Sequence, residues 1–296
     1  MIGSPMMATA RLTAYLLLTL ILMPVQAIAL LLKLPIRLTL PRIYHTWCRW
    51  LFGLHIELRG KMARDRPVLF VCNHSSYLDI MVLGSLLKAS FVAKAEVADY
   101  PLFGWLAKLQ RTVFVDRRRS QAGEHASEIQ RRLAHRDNLI IFPEGTSSDG
   151  NRVLPFKSAL LGVAQIRIKN RKGVERGVVV QPVSITPAKL DGMPLGRSLR
   201  HLYAWYGDMD MAGHMWTAAT LGKLTIVVEF HEPFEVKPGE SRKEIAEHCW
   251  DAVARGVSSV ITGHGETKVL HHSAPDDDDD PHEADEHEQP EHEAAA

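Results

Sequence analysis

"PVLFVCNHSSYLDI", residues 67 to 80, runs apolar as far as Cys72, breaks into Asn73, His74, Ser75 and Ser76, and turns apolar again around Asp79. A short apolar run bounded by turn residues reads as a buried strand, and the segment beyond the break reads as a helix. The same alternation recurs along the chain. Strands are expected at 67–72, 90–93, 112–115, 138–142, 178–185 and 224–230, with helical patterns near 78–88, 101–109, 121–135, 156–168 and 241–261. This order implies an α/β fold, a mixed sheet with helices packed on it.

The break in the opening stretch carries chemistry. On one continuous helix, residues five apart point about 140° away from each other at roughly 100° per residue, so His74 and Asp79 cannot pair as helix neighbours. With a strand ending at Cys72 and a helix beginning near Ser76, His74 falls on the turn and Asp79 in the first helical turn, from which its carboxylate reaches back. A carboxylate on one imidazole nitrogen sets the tautomer and stabilises the cation formed when the other nitrogen takes a proton. The same residues also fit plain turn and helix-cap chemistry. A second strand, in "LIIFPEGTSSDG" at 139–150, stops at Pro143, Glu144, Gly145 and Thr146. Such a turn can present backbone N–H groups and a carboxylate together.

Composition bounds the setting. The chain has 296 residues, enough for one large domain, and its formal net charge of +1 conceals an asymmetry. Pro275 to Ala296 holds eleven acidic and no basic residues, leaving 35 basic against 23 acidic elsewhere, a balance of +12. A basic body attracts phosphate, an anionic membrane surface or an acidic carrier protein. No helix-turn-helix, zinc-finger spacing or aromatic RNA-binding signature is present, so nucleic acid is not the expected partner. Cys48, Cys72 and Cys249 show no CxxC spacing, which indicates neither a disulfide framework nor a zinc site and fits a reducing compartment.

Leu12 to Leu32 is a run of 21 uncharged, mostly apolar residues, about what a helix needs to cross a hydrocarbon core roughly 30 Å thick. The chain stays apolar after Val25-Gln26-Ala27, which favours a retained membrane anchor over a cleaved signal peptide. Pro24 and Gln26 leave spanning and dipping both open. Lys33, Arg37, Arg42, Arg49 and Arg59 follow the run and only Arg11 precedes it, placing the body on the cytoplasmic side. The expected organisation is a membrane anchor and basic linker over 1–44, a catalytic domain over 45–270, and a disordered acidic, His-rich tail over 271–296.

Taken together, "NHSSYLD" and "FPEGT" resemble the N-H-x4-D and F-P-E-G-T blocks of the glycerolipid acyltransferase family, in the family's order and at a family-like separation. "TVFVDR" at 112–117 resembles its phosphate-contacting strand and "VVVQPVSI" at 178–185 its late strand with an interior proline. The resemblance implies that His74 takes the proton of an acceptor hydroxyl, that Asp79 orients His74, and that the hydroxyl attacks an acyl thioester directly. It further implies that Arg117, Glu144, Gly145, Thr146, Ser147 and Lys157 hold the acceptor or the thioester, with no metal and no cofactor beyond the co-substrate, acyl carrier protein or coenzyme A. For Arg117 a solvated basic cluster at 117–119 is the alternative.

Many members that acylate lysophosphatidate carry Arg directly after E-G-T, where this chain has Ser147, and Gly where it has Arg111. "NRVLPFKSALLG" at 151–162 and "AWYGDMDM" at 204–211 resemble the bacterial branch that acylates lyso-ornithine lipid. Lyso-ornithine lipid is therefore the expected membrane acceptor, with lysophosphatidate the alternative. A hydrolase using Cys72 or Ser75, a metallohydrolase using His74, Asp79 and Glu144, and a non-catalytic membrane scaffold are the rival classes. Neither a G-x-S-x-G elbow nor an HExxH motif supports the first two.

Overall fold

The computed structural model describes residues 3–64, 67–115, 122–169 and 175–263. Arg117 and the acidic tail from 271 lie outside the described residues. The elements in chain order are α1 (Pro5–Leu31), α2 (Leu40–Leu51), β1 (Leu54–Gly60), β2 (Val68–Cys72), α3 (Leu78–Leu86), β3 (Ser90–Lys94), α4 (Phe103–Leu109) and β4 (Val113–Val115). They continue with α5 (Ala122–Ala134), β5 (Leu139–Ile141), α6 (Ser158–Leu161), β6 (Arg167–Lys169), β7 (Glu175–Gly177) and β8 (Val179–Leu190). Last come β9 (Met193–Pro194), α7 (Met211–Thr220), β10 (Leu224–Phe230), β11 (Phe234–Glu235) and α8 (Arg242–Thr262).

The main sheet runs β1-β10-β8-β2-β5-β3-β4, with β9 and β11 added on β8. It is mixed: β8, β2, β5, β3 and β4 pair in parallel, β10 runs antiparallel to β8, and β1 is parallel to β10. Every residue of β2 is buried, as a central parallel strand covered on both faces must be. Its side chains alternate between two cores. Val68, Phe70 and Cys72 join the apolar cluster that includes α1, α2, α3 and α7, while Leu69 and Val71 join the one under α5 and α8. The product is a three-layer α/β arrangement.

All six expected strands form, β8 reaching five residues further than expected, to Leu190. The expected helix over 156–168 does not. Only Ser158–Leu161 is α-helical, a 3-10 turn follows at Gly162–Gln165, and Arg167–Lys169 pairs with β7 in a separate two-stranded sheet. Gly162 and the β-branched residues Val163, Ile166 and Ile168 disfavour helix and suit an extended pair. α8 begins where its cap dictates: Ser241 and Glu244 form a reciprocal capping box.

The N-terminal apolar helix is present as α1 and is, by length and composition, able to cross a membrane. It is also tied to the body along its length. The Arg11 guanidinium donates to the carbonyls of Ala219 and Leu221, Thr19 shares a hydrogen bond with Tyr44, and the Gln26 amide donates to the carbonyls of Arg37 and Leu109. Ala8 and Tyr15 belong to the main core. The helix runs on through Pro24.

α2 docks on α3 at Gly84, where an added Cβ would sit 2.5 Å from the His45 ring. His45 is itself buried and bonded to Gln110 at 3.0 Å, so it cannot swing aside cheaply. Gly84→Ala should therefore destabilise the fold by about 1–3 kcal/mol, the range for overpacking a dense core. A lowered melting temperature measures this, and an unchanged one contradicts the packing described.

Candidate active site

The site lies at the carboxyl ends of the adjacent parallel strands β2 and β5, the edge at which open α/β sheets hold their ligands. Asn73 follows β2 directly. Its side-chain amide donates to the Ile185 carbonyl at 2.9 Å and its carbonyl accepts the Ile185 N–H at 2.8 Å, which prolongs the β2–β8 ladder by one step. His74 is then the first residue free to leave the sheet.

Asp79, in the first turn of α3, is wholly buried. Its Oδ2 accepts the backbone N–H groups of Ser75 at 2.8 Å and Ser76 at 2.9 Å, and the His74 Nδ1 at 2.9 Å. Its Oδ1 accepts the Tyr203 hydroxyl at 2.6 Å. A carboxylate that accepts from four groups leaves Nδ1 only the donor role, so His74 Nε2 carries the free lone pair. The imidazole stacks on Phe142 with ring centroids 4.2 Å apart, which sets its plane. Turn-and-cap chemistry and base-orienting chemistry are thus the same set of bonds. Tyr203 is buried, and burial together with Asp79 pushes its pKa well above the usual phenol range, keeping it a neutral donor.

Glu144 is buried behind the turn. One oxygen accepts the His74 N–H at 2.8 Å and the other the Leu154 N–H at 3.0 Å, while Ser148 N–H donates to the His74 carbonyl at 2.9 Å. The β5 loop therefore clamps the backbone of His74 from both sides. Burial raises the Glu144 pKa to about 8 against the pull of those two N–H donors. Gly145 turns the chain with φ +71°, a conformation that favours glycine. The turn brings Gly145, Thr146 and Ser147 to the wall of a cavity that His74 also lines. Lys157 is exposed, away from that wall, and its backbone N–H bonds the Pro143 carbonyl. Arg117 lies outside the described residues. Arg111 is paired, its guanidinium 2.8 Å from Asp137, which also holds Arg132.

The cavity has a volume of about 540 Å³ and is mostly apolar. Besides His74 and Phe142 it is lined by Phe91, Tyr77 and Met81, by Leu22 and Met23 of α1 and by Leu106 and Leu109 of α4. Cys72 is buried and its thiol is pushed well above the usual range by burial and by Asp79, which removes it as a nucleophile. Ser75 is buried as well. With the oxygens of Asp79 and Glu144 already taken, His74, Asp79 and Glu144 do not form a metal-binding set.

Tyr203 and Phe142 were not among the expected site residues. Phe142 is legible as the residue before Pro143, but Tyr203 is 124 positions from its partner and lies in no local pattern.

Known proteins resemble this chain in sequence and fold. The Acyltransferase family model covers residues 55–186. The chain is 41% identical over 247 residues to the lyso-ornithine lipid O-acyltransferase of Brucella abortus, covering 83% of this chain and 92% of that protein. It is 38% identical over 259 residues to the enzyme of the same name from Rhizobium meliloti, covering 87% and 88%. The crystal structure of the 1-acyl-sn-glycerophosphate acyltransferase PlsC from Thermotoga maritima shares the fold, with a TM-score of 0.53, 24% identity, and coverage of 75% of this chain and 79% of that one. The chain belongs to the acyltransferase family. Within it, the protein is an enzyme of the lysolipid O-acyltransferase kind.

A buried acid whose folded pKa lies above its usual value, as for Glu144, favours the folded state at low pH. That contribution is complete below about pH 4.5 and is lost as pH rises through about 8. Glu144→Gln should remove this component, so the stability difference between wild type and variant should narrow from pH 5 to 8.5. The variant should be less stable at pH 5, because an amide accepts through only one of its two heavy atoms. Denaturant midpoints across that range measure it, and parallel pH profiles would refute it.

Proposed function

We propose that the protein transfers a fatty acyl group from a thioester to the hydroxyl of lyso-ornithine lipid, with His74 as general base. The observation that carries this is His74 Nε2, without a partner among the described residues, on a residue that lines an apolar cavity while a buried carboxylate holds Nδ1. Nε2 takes the acceptor's proton as its oxygen attacks the thioester carbonyl carbon. The tetrahedral intermediate collapses by breaking the C–S bond, and the imidazolium returns the proton to the departing thiolate. Asp79 stabilises the cation in between. Thr146 and Ser147 line the same cavity as His74, and their backbone N–H groups make no hydrogen bond among the described residues, so we assign to them the developing oxyanion. Glu144 and Gly145 act by shaping this turn, and the cavity takes the acyl chain. The thioester's carrier is acyl carrier protein or coenzyme A; the exposed Lys157 is available to its phosphates, and Arg117, outside the described residues, is assigned to them by the family resemblance alone. No bound metal or cofactor takes part.

The acceptor assignment is supported by the names of the two relatives and by Ser147. An arginine there could grip a phosphate with paired charge-assisted hydrogen bonds, whereas a serine hydroxyl supplies one neutral donor. Arg111 is already paired with Asp137 and is poorly placed to compensate.

The protein works at a membrane surface, with the catalytic body on the cytoplasmic side of a bacterial inner membrane. Arg11 and Gln26 tie α1 to the body at points roughly 22 Å apart at about 1.5 Å per residue, so a spanning α1 would draw the body into the bilayer. Lying in the interface meets both constraints. Exposed Leu17, Leu20 and Ile21 of α1, Trp47 and Trp50 of α2, and Trp105 of α4 supply apolar and aromatic contacts for it.

His74→Ala should abolish acyl transfer, and Asp79→Asn should lower turnover by several orders of magnitude through loss of the tautomer. Cys72→Ala should keep activity. Turnover near wild type in a folded His74→Ala protein would overturn the mechanism. Wild-type enzyme should turn over lyso-ornithine lipid faster than lysophosphatidate, and Ser147→Arg should raise lysophosphatidate use alone. A clear preference for lysophosphatidate would overturn the acceptor assignment.

Deleting residues 1 to 32 should release the protein from vesicles and also expose the Tyr15 packing site, lowering its melting temperature. Release without a loss of stability would contradict the docking of α1 described above.

A further inference from the structure

A second concavity lies beside the His74 turn, apart from the groups that move the proton. Asp149, Asn151, Arg197, Ser198, His201 and Tyr206 line it. Two backbone bonds hold its walls to the site: Ser148 N–H to the His74 carbonyl at 2.9 Å and Trp205 N–H to the Ser75 carbonyl at 2.8 Å. Trp205 and Gly207 face the acyl cavity while Tyr206 between them faces the concavity, so the two share a rim at 205–207.

Its charges are preset. Asp149 accepts both the backbone N–H of Asn151 at 3.0 Å and its side-chain amide at 3.1 Å. Asn151 in turn accepts from Arg200 at 2.7 Å, and Arg200 is buried with a guanidinium Nε that has no partner among the described residues. Burial works to raise the Asp149 pKa, but the Asn151 donors and the nearby Arg152 and Arg197 outweigh it, so the carboxylate stays ionised. The Arg197 side chain is exposed, and its guanidinium makes no hydrogen bond or ion pair among the described residues. The lining thus offers one carboxylate and one unpaired guanidinium. A phosphate dianion would meet the carboxylate of Asp149. An amino-acid head group bearing one carboxylate and one ammonium would meet an opposite charge at each end.

We infer that this concavity is the acceptor head-group site, with Arg197 binding the carboxylate and Asp149 the ammonium of the lysolipid's ornithine. The acceptor hydroxyl then lies at the shared rim, between a head group on one side and the acyl cavity on the other. This rests on lyso-ornithine lipid being the acceptor.

The test is steady-state kinetics with lyso-ornithine lipid, its carboxyl methyl ester and its δ-N-acetyl derivative, on wild type, Arg197→Gln and Asp149→Asn. Each variant should raise the KM for lyso-ornithine lipid about tenfold, the size expected for loss of one charge-assisted contact, with kcat and the donor KM unchanged. The methyl ester should cost wild type the same factor and Arg197→Gln nothing more, and the acetyl derivative should behave likewise with Asp149→Asn. Wild-type KM values in both variants, or losses that are equal with capped and uncapped acceptors, overturn the head-group site. If Asp149→Asn fails to fold, the exposed Arg197→Gln with the methyl ester decides alone. Wild-type failure to acylate lyso-ornithine lipid is read separately from the variants, and it overturns the acceptor assignment and this inference together.

Discussion

One buried carboxylate organises the site. Asp79 has no exposure, and its burial is tolerated because four donors converge on it, from two backbone amides, an imidazole and a phenol. The donors and the acid come from parts of the chain that must all be in place: three donors from the turn after β2, the fourth from the segment around Tyr203, and Asp79 itself from the first turn of α3. The desolvation that makes such an anion costly when unpaired also makes its geometry strict, because every missing donor leaves an acceptor in an apolar core. The imidazole orientation is therefore a by-product of satisfying the acid.

Glu144 repeats the device with a different object. Asp79 governs the His74 side chain, and Glu144 governs the His74 backbone, from the neighbouring strand. Two parallel strands ending side by side, β2 and β5, bring the two acids to one turn. The two sequence blocks are far apart in the chain, but the β2–β5 pairing makes them a single unit. The apolar cavity has a similar origin, since its walls come from the sheet edge on one side and from α1, α2 and α4 on the other. α1 thus does two jobs: it presents apolar residues outward and closes the cavity inward.

Much of this was legible in the residues. The strand–turn–helix reading of 67–80 follows from periodicity and turn chemistry, and it correctly separates His74 from Asp79 by a turn. The six expected strands follow from short apolar runs. β1 was legible too, since Leu54, Ile56 and Leu58 alternate with polar residues, but its position beside the basic linker hid it. The helix expected at 156–168 failed because an apolar stretch with a central glycine supports either period, and pairing with β7 decided for extended chain.

The sequence by itself determined the chemistry-bearing types, His74 with Asp79 and the Phe142–Thr146 block, and the presence of a long apolar N-terminal helix, because these depend on residue identity and short-range spacing. Only the tertiary structure decided that Tyr203 completes the Asp79 shell, that Glu144 points inward to the His74 backbone, that Lys157 stands outside the cavity, and that α1 is bound lengthwise to the body. Those facts rest on contacts between residues many tens of positions apart. Local propensity carries no information about them, since which distant donor reaches a buried acceptor is settled by how the layers pack.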